Sequence, residues 1–252
     1  MAHKVFLSPS DQDANTYAYG NTTEDVQCGR VAEAAKAALE RCGFEVMLVQ
    51  YEKMSSKCAK SDAFGAELHV PIHSNACNGK VTGTRIFYGV EGGQSWRASK
   101  AILDRLGPVT PGGPDAVQSY PELYEIRIPK APTAYIEIDF HDVPTIARWI
   151  IAHPVEIGEA ICAGICDYFG EKYIEAPKEE PENKEEEEVR YNTLGDLKKD
   201  KNAATYYLPT VEKLIKKNIL RGKGGEGDNM ILDLGEDSIR VLVTLDRAGF
   251  YD

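Results

Sequence analysis

The chain has 252 residues, 42% hydrophobic and 27% charged, so it can bury an ordinary core and is neither a disordered nor a fibrous chain. Its 29 Lys and Arg residues against 40 Asp and Glu residues leave a net charge of −11, which excludes nucleic-acid binding through a basic surface. The sequence has no apolar run of about 18 residues, so we expect no membrane contact. The first ten residues lack a signal-peptide pattern, which predicts synthesis in the cytoplasm and release by another factor.

Strand and helix patterns alternate along the first 170 residues. Strands are predicted at Lys4–Leu7, Phe44–Val49, Glu67–Ser74, Thr84–Val90 and Thr133–Phe140. Helices are predicted at Glu24–Arg41, Lys53–Phe64, Ser95–Leu106, Pro144–Ile151 and Val155–Phe169. This alternation predicts an α/β fold, a single mostly parallel sheet sandwiched by helices, with functional residues where strands end.

Charge divides the chain into three predicted parts: a domain over residues 1–175, an acidic linker over 176–190 and a second domain over 191–252. The linker holds three basic and seven acidic residues, so it repels itself and buries nothing. The last part has ten residues of each sign and no histidine. Helix patterns beginning at Leu208 and spanning Glu236–Ala248, on either side of a Gly-rich loop, predict a small all-helical domain that binds rather than catalyses.

The six cysteines are scattered and include no CxxC pair, so we predict buried free thiols rather than disulfides. Cys162 and Cys166 are four residues apart in a helical stretch, which can place them one turn apart on a buried face.

Five histidines are present, and two of them, His69 and His73, lie in the segment ELHVPIHSNA. On a regular strand they are about 13 Å apart, so they cannot bind one metal ion together. His73 is nearer the end of the strand and is the better ligand. We interpret His69 as a packed, hydrogen-bonded side chain.

Three carboxylates stand out. Glu24 opens the first long helix, where the helix dipole alone already favours a negative charge. Glu137 lies inside the apolar strand AYIEIDF, where an ionised carboxylate is costly unless it is paired or near a metal. Asp139 lies two residues after Glu137 and therefore on the same face of the strand. Carboxylates at a helix start and on a strand, together with a histidine at a strand end, suggest a zinc hydrolase, although no HExxH pair is present.

Four motifs in order carry a resemblance: LSPSDQ at residues 7–12, NTTEDVQCGRVA around Glu24, PIHSNA around His73 and AYIEIDF around Glu137. Together they resemble the zinc-dependent N-acetylmuramoyl-L-alanine amidases of the amidase-3 class, especially the LSPS-type members of clostridial phage endolysins. The resemblance covers roughly residues 3–170. It implies an α/β sandwich, peptidoglycan as substrate, and cleavage of the amide between the lactyl group of N-acetylmuramic acid and L-alanine.

The resemblance also implies roles for individual residues. His73 and Glu24 match the zinc histidine and zinc glutamate, and Glu137 matches the catalytic glutamate. Most members have a histidine as the first ligand, where this chain reads Ser-Asp-Gln. We assign Gln12 to that place because the LSPS-type pattern carries Gln there, while Asp11 stays an alternative on chemical grounds.

Substrate contacts are predicted at four further positions. Ser74 and Asn75 follow the zinc histidine and are expected to shape the site. Arg127 could pair with a carboxylate of the stem peptide, or form a surface salt bridge. Asp139 stands where the family usually has Gly, and could bind substrate or raise the pKa of Glu137.

The C-terminal part is similar to helical modules that end clostridial wall-associated proteins, which implies binding to a cell-wall polymer; homo-oligomerisation is the alternative. For the whole chain the resemblance predicts a peptidoglycan-degrading zinc amidase, a phage or prophage endolysin. Two alternatives stay open: a wall-binding protein with an inactive amidase fold, and a zinc peptidase that cuts a stem-peptide bond.

Overall fold

The computed structural model describes residues 2–176 and 190–251, which fall into two compact units, each described here by itself. The predicted linker lies almost wholly outside the described residues. In the first unit the strands are β1 (Lys4–Pro9), β2 (Glu45–Leu48), β3 (Leu68–Asn75), β4 (Arg85–Tyr88), β5 (Ala116–Ser119) and β6 (Tyr135–Phe140). The helices are α1 (Glu24–Arg41), α2 (Met54–Phe64), α3 (Gln94–Leu106), α4 (Tyr124–Arg127), α5 (Pro144–Ala152) and α6 (Pro154–Phe169).

The six strands form one sheet in the order β2-β1-β3-β6-β4-β5. All neighbouring pairs are parallel except β4 and β6, which are antiparallel. The predicted mostly parallel α/β sandwich is therefore confirmed. Strand β5 and helix α4 were not predicted, because each has only four residues and little periodic pattern.

The pleat divides the strand residues between two faces. Val70 and Ile72 of β3 and Ile136 and Ile138 of β6 belong to a fully buried apolar core shared with α1, α3 and α6. The intervening residues of both strands face the opposite side, where α2 contacts β1 and α4. Two glycines of α6 permit its close contacts: a Cβ on Gly158 would lie 2.6 Å from the backbone of α1, and one on Gly164 would lie 2.4 Å from that of α3.

The second unit contains β7 (Arg190–Thr193), α7 (Leu194–Lys199), α8 (Lys201–Tyr206), α9 (Leu208–Lys216), β8 (Ile231–Gly235) and α10 (Glu236–Arg247). The two predicted helices correspond to α9 and α10. The all-helical prediction is corrected, because β7 and β8 pair as a two-stranded antiparallel sheet. Leu197, Val211 and Ile239 are fully buried in this unit's own core.

No single helix among the described residues is long and apolar enough to cross a bilayer; α5 and α6 meet the length and composition test only as a pair bent by 78°.

Candidate active site

Glu24 and His73 meet at one edge of the sheet. Strands β1 and β3 are parallel, so the loop that leaves β1 and the carboxyl end of β3 lie at the same edge, and α1 begins there with Glu24. Glu24 is 1% exposed, and its Oε1 lies 2.8 Å from Nδ1 of His73. The ring of Tyr135 stacks on the His73 imidazole at 4.8 Å between centroids, which fixes the orientation of the ring.

Gln12 completes this group from the loop after β1. Its Nε2 lies 3.4 Å from Oε1 of Glu24 and 3.4 Å from Nδ1 of His73. Asn15 donates from Nδ2 to Oε2 of Glu24 at 2.7 Å and to Oε1 of Gln12 at 2.8 Å. Asn15 was missed in the sequence, where it is one polar residue among many in a loop without periodicity.

Asp11, the alternative to Gln12, is engaged elsewhere. Its Oδ2 pairs with Nζ of Lys57 at 2.6 Å, and its Oδ1 accepts the backbone N–H of Tyr51 at 2.6 Å. The residue that reaches Glu24 and His73 in this structure is thus Gln12.

Glu137 stands beside this group on the neighbouring strand, in register with His73. Its Oε2 is buried and has no hydrogen-bond partner within the described part of the chain. Burial raises the pKa of the Glu137 carboxyl to about 7; the positive charge of His73 opposes this and the negative charge of Glu24 adds to it. A carboxyl with that pKa can both accept and return a proton near neutral pH.

The Glu24–His73 pair shifts the pKa of both partners. Burial by itself raises the pKa of Glu24, but the hydrogen bond and positive charge of His73 outweigh it, so the pKa is lowered. Burial by itself lowers the pKa of His73, but the hydrogen bond to Glu24 and the charge of Glu137 leave it raised. The two carboxylates thus favour a positive charge at this place, which the protonated His73 imidazole supplies to Glu24.

The four predicted substrate-contact residues lie in different surroundings. Ser74 points to the other face of the sheet, where its Oγ is 2.8 Å from the Tyr17 hydroxyl and 2.9 Å from Nδ1 of His141. Asn75 is half-buried, and its Oδ1 accepts the next backbone N–H at 2.8 Å. Arg127 is exposed at the end of α4.

Asp139 is fully buried, and three backbone N–H groups point at its carboxylate. Oδ1 accepts from Gly83 at 2.8 Å and from Phe140 at 2.7 Å, and Oδ2 accepts from Gly112 at 3.1 Å. These bonds hold two loops against β6. One role considered for Asp139 was to raise the pKa of Glu137. That pKa is raised instead by burial and by the charge of Glu24.

His69 is packed as predicted. It is fully buried, with Nδ1 3.0 Å from the Ser61 hydroxyl and Nε2 3.2 Å from Oε1 of Glu125. Glu125 also accepts from the Ser8 hydroxyl at 2.5 Å. Sequence reasoning missed Glu125, whose short helix carries no pattern that marks a buried carboxylate.

An imidazole, a carboxylate and a side-chain amide thus converge beside a second carboxylate with an unpartnered oxygen. The imidazole and the carboxylate are ligand types that catalytic zinc takes, and the second carboxylate is placed to act as an acid or base. Such an arrangement suits the hydrolysis of an amide.

Comparisons with known proteins agree. Residues 8–167 match the Amidase_3 family, described as N-acetylmuramoyl-L-alanine amidase. The catalytic domain of CwlV, an N-acetylmuramoyl-L-alanine amidase from Bacillus (Paenibacillus) polymyxa var. colistinus, has a similar structure: TM-score 0.61 and 15% identity, covering 67% of this chain and 99% of that chain. The catalytic domain of an endolysin targeting Clostridia difficile gives a TM-score of 0.57 and 20% identity, covering 69% of this chain and 99% of that chain.

A third structure, Cwp6 from Clostridium difficile, gives a TM-score of 0.59 and 23% identity, covering 67% of this chain and 29% of that chain. At these identities the likeness concerns the fold. No curated protein matches the sequence. The family match takes in more than half of the chain and contains Gln12, Glu24, His73 and Glu137. The chain therefore belongs to the Amidase_3 family of N-acetylmuramoyl-L-alanine amidases.

Proposed function

We propose that this amidase is zinc-dependent, with Gln12, Glu24 and His73 as the protein ligands and Glu137 as the general base. The observation that carries the proposal is the buried, unpartnered Oε2 of Glu137 next to the Glu24–His73 pair. A buried polar atom without a partner is costly, so a missing group at that place accounts for it. The donor set is chemically suited to zinc, since an imidazole nitrogen and a carboxylate are among its usual ligands.

Gln12 needs one adjustment to serve as a ligand. Its Nε2 faces Glu24 and His73, whereas its Oε1 accepts from Asn15. Rotation of the amide by 180° exchanges the two atoms and brings the oxygen to the metal side. The rotation gives up the hydrogen bond that Asn15 donates to Oε1 of Gln12.

Zinc, when bound, polarises the scissile carbonyl and lowers the pKa of water. Glu137 accepts a proton from the attacking water and returns it to the nitrogen of the leaving L-alanine. Its pKa of about 7 suits both transfers near neutral pH. Tyr135 stacks on the His73 imidazole and so keeps its Nδ1 directed toward Glu24 and Gln12.

The test is Glu137→Gln, with Glu122→Gln at an exposed position as the matched control. We expect Glu137→Gln to keep its fold and the same zinc content as the parent protein but to lose about 10²–10⁴-fold in wall hydrolysis, the usual effect of losing a general base. The control should match the parent protein. Near-normal turnover of Glu137→Gln would move the role elsewhere, with Asp139 the first residue to test.

Product and metal analysis separate the two alternatives. An amidase leaves free L-alanine amino groups on intact stem peptides, which mass spectrometry of digested wall detects, whereas a stem-peptide hydrolase shortens the stems. A wall-binding protein with an inactive domain need not retain zinc. A zinc-free purified protein that cannot be reloaded would favour that alternative.

For the second unit we propose binding to a cell-wall polymer. It carries a buried core of its own and several exposed large apolar side chains, among them Tyr206 at 59% exposure and Phe250 at 76%. A wall-binding module raises the concentration of the enzyme at an insoluble substrate. Residues 190–252 alone should sediment with walls of the host group but not with unrelated walls; a fragment that dimerises and ignores walls would favour oligomerisation.

We also propose that the enzyme is a phage or prophage endolysin that acts on the wall after release from the cytoplasm. The likeness to an endolysin catalytic domain supports this role. Co-expression with a pore-forming membrane protein should cause lysis, whereas expression of the amidase alone should not.

A further inference from the structure

Three cysteines converge at the end of α1 opposite the active site. Cys42 follows α1 directly, and Cys162 and Cys166 lie one turn apart on α6. All three Sγ atoms lie within 4.8 Å of one another, and those of Cys42 and Cys162 are 3.7 Å apart. Because α1 has 18 residues, about 27 Å of helix separates Cys42 from Glu24, so this cluster is distinct from the catalytic group.

One pair of sulfurs has the spacing of a thiolate metal site. Two thiolates on one zinc ion, each about 2.3 Å from the metal in tetrahedral geometry, are about 3.8 Å apart. The 3.7 Å between Cys42 and Cys162 is close to this value, and it is far longer than the roughly 2.05 Å of a disulfide.

The segment after α6 contacts the Cys42 sulfur, whereas burial raises the pKa of the Cys162 and Cys166 thiols. The backbone N–H of Ile174 donates to Sγ of Cys42 at 3.3 Å, a bond of the kind that holds and tunes metal-bound sulfur. Arg41 fixes that backbone by donating from Nε to the Ile174 carbonyl at 3.0 Å. The Arg41 guanidinium, which also pairs with Glu159 at 2.5 Å, contributes positive charge beside the cluster.

Solvent can reach the cysteine cluster on one side only. Cys162 and Cys166 are fully buried, whereas Cys42 lines a cavity of about 230 Å³. His3 and Glu171 line the same cavity, which leaves room for water at a fourth position. Three thiolates and one water from this cavity would supply the four ligands of a tetrahedral ion, one protein ligand fewer than most structural zinc sites have.

We propose that Cys42, Cys162 and Cys166 bind a thiophilic divalent cation of the Zn²⁺ and Cd²⁺ type and thereby fasten the end of α1 to α6. Binding replaces three S–H bonds by three metal–sulfur bonds and releases three protons to solvent, with no change in oxidation state. The site is structural, because it lies far from the reacting amide and is closed on all sides but one.

The test is titration of the reduced, metal-free full-length protein with Cd²⁺, followed by the ultraviolet charge-transfer band of cadmium–thiolate bonds. The Glu24–His73 group has no thiolate and is silent in this band. Because the Glu24–His73 group also takes up metal, we expect the band to saturate between one and two equivalents of Cd²⁺, with the intensity of three thiolates and a rise in the melting temperature. Cys162→Ser should weaken cadmium binding by about 100-fold or more, beyond the 10–100-fold typical of losing an outer-shell partner.

Cys58→Ser on α2 is the matched control, because it removes another buried thiol and should leave the band unchanged. Cys42→Ser, at a partly exposed position, repeats the test should Cys162→Ser fail to fold. Amidase activity of the zinc-loaded serine variants should equal that of the parent, which separates this site from the catalytic one. Absence of a band at two equivalents of Cd²⁺, or a full band in both Cys162→Ser and Cys42→Ser, would overturn the proposal.

Discussion

Asp139 allows a quantitative test of how a buried carboxylate organises the loops next to the active site. Its two oxygens accept the N–H groups of Gly83 and Gly112, from separate loops, and that of Phe140. In Asp139→Ala the N–H of buried Gly83 is left without this partner, and so is that of half-buried Gly112. A fully buried donor that loses its partner costs about 1–3 kcal/mol, and the half-buried donor costs less. We therefore expect the free energy of unfolding to fall by about 2–4 kcal/mol.

The Asp139→Asn substitution should lower the free energy of unfolding by about half as much as Asp139→Ala. Its remaining oxygen can still accept from Gly83 and Phe140, while its NH₂ group faces the Gly112 N–H as a second donor. Gly112→Ala perturbs the same contact from the other side, because its Cβ would lie 2.2 Å from Oδ2 of Asp139. The loss in the Asp139→Ala, Gly112→Ala double variant should therefore be smaller than the sum of the single losses.

Urea unfolding followed by tryptophan fluorescence is the assay. Both tryptophans, Trp96 and Trp149, lie in the first unit, so the signal reports that unit alone. Asp104→Asn is the control, since it removes the same charge from an exposed side chain and should stay within about 0.5 kcal/mol of the parent. If Asp139→Ala unfolds at the same urea concentration as this control, the loops do not depend on the carboxylate and the reasoning fails.

Two further predictions concern the first unit. Burial raises the pKa of Glu125, but hydrogen bonds with His69 and Ser8 outweigh it and leave the pKa below its ordinary value of 4.5. This ionised carboxylate contributes stability that is present above pH 4.5 and is lost as the pH falls through the lowered pKa. The urea midpoint of the parent should therefore approach that of Glu125→Gln on acidification. A constant difference between the two midpoints would contradict this prediction. Gly164→Ala places a Cβ 2.4 Å from Cα of Ile102 and should cost about 1–3 kcal/mol, measured by the same fluorescence assay; an unchanged midpoint would show that α3 and α6 can separate without loss.

Much of the first unit was predictable because its signals are local. The apolar alternation of each long strand and helix, and the glycine or proline near its end, are properties of neighbouring residues. Glu137 could be singled out for the same reason, since a carboxylate inside an apolar strand is unusual whatever surrounds it. Glu24 and His73 followed from the family motifs together with their places at a helix start and a strand end.

The second unit shows where local signals fail. Its helices α9 and α10 are strongly amphipathic and were predicted, but the pairing of β7 with β8 was not. The two strands have four and five residues and are separated by nearly 40 positions. Whether so short an extended segment becomes a strand depends on whether a partner is in place beside it.

The sequence by itself determined the α/β alternation, the division of the chain by charge and the residue types at the active site, because each depends on residues close together along the chain. Only the tertiary structure decided which side chains meet. It directs Asp11 to Lys57 and Gln12 to His73, places Asn15 beside Glu24 and surrounds Asp139 with backbone N–H groups. It also brings Cys42 next to Cys162, which lies 120 positions later in the sequence. Side-chain contacts of this kind depend on the order and direction of strands and on how helices pack, which are set by burial of the whole core rather than by any local pattern.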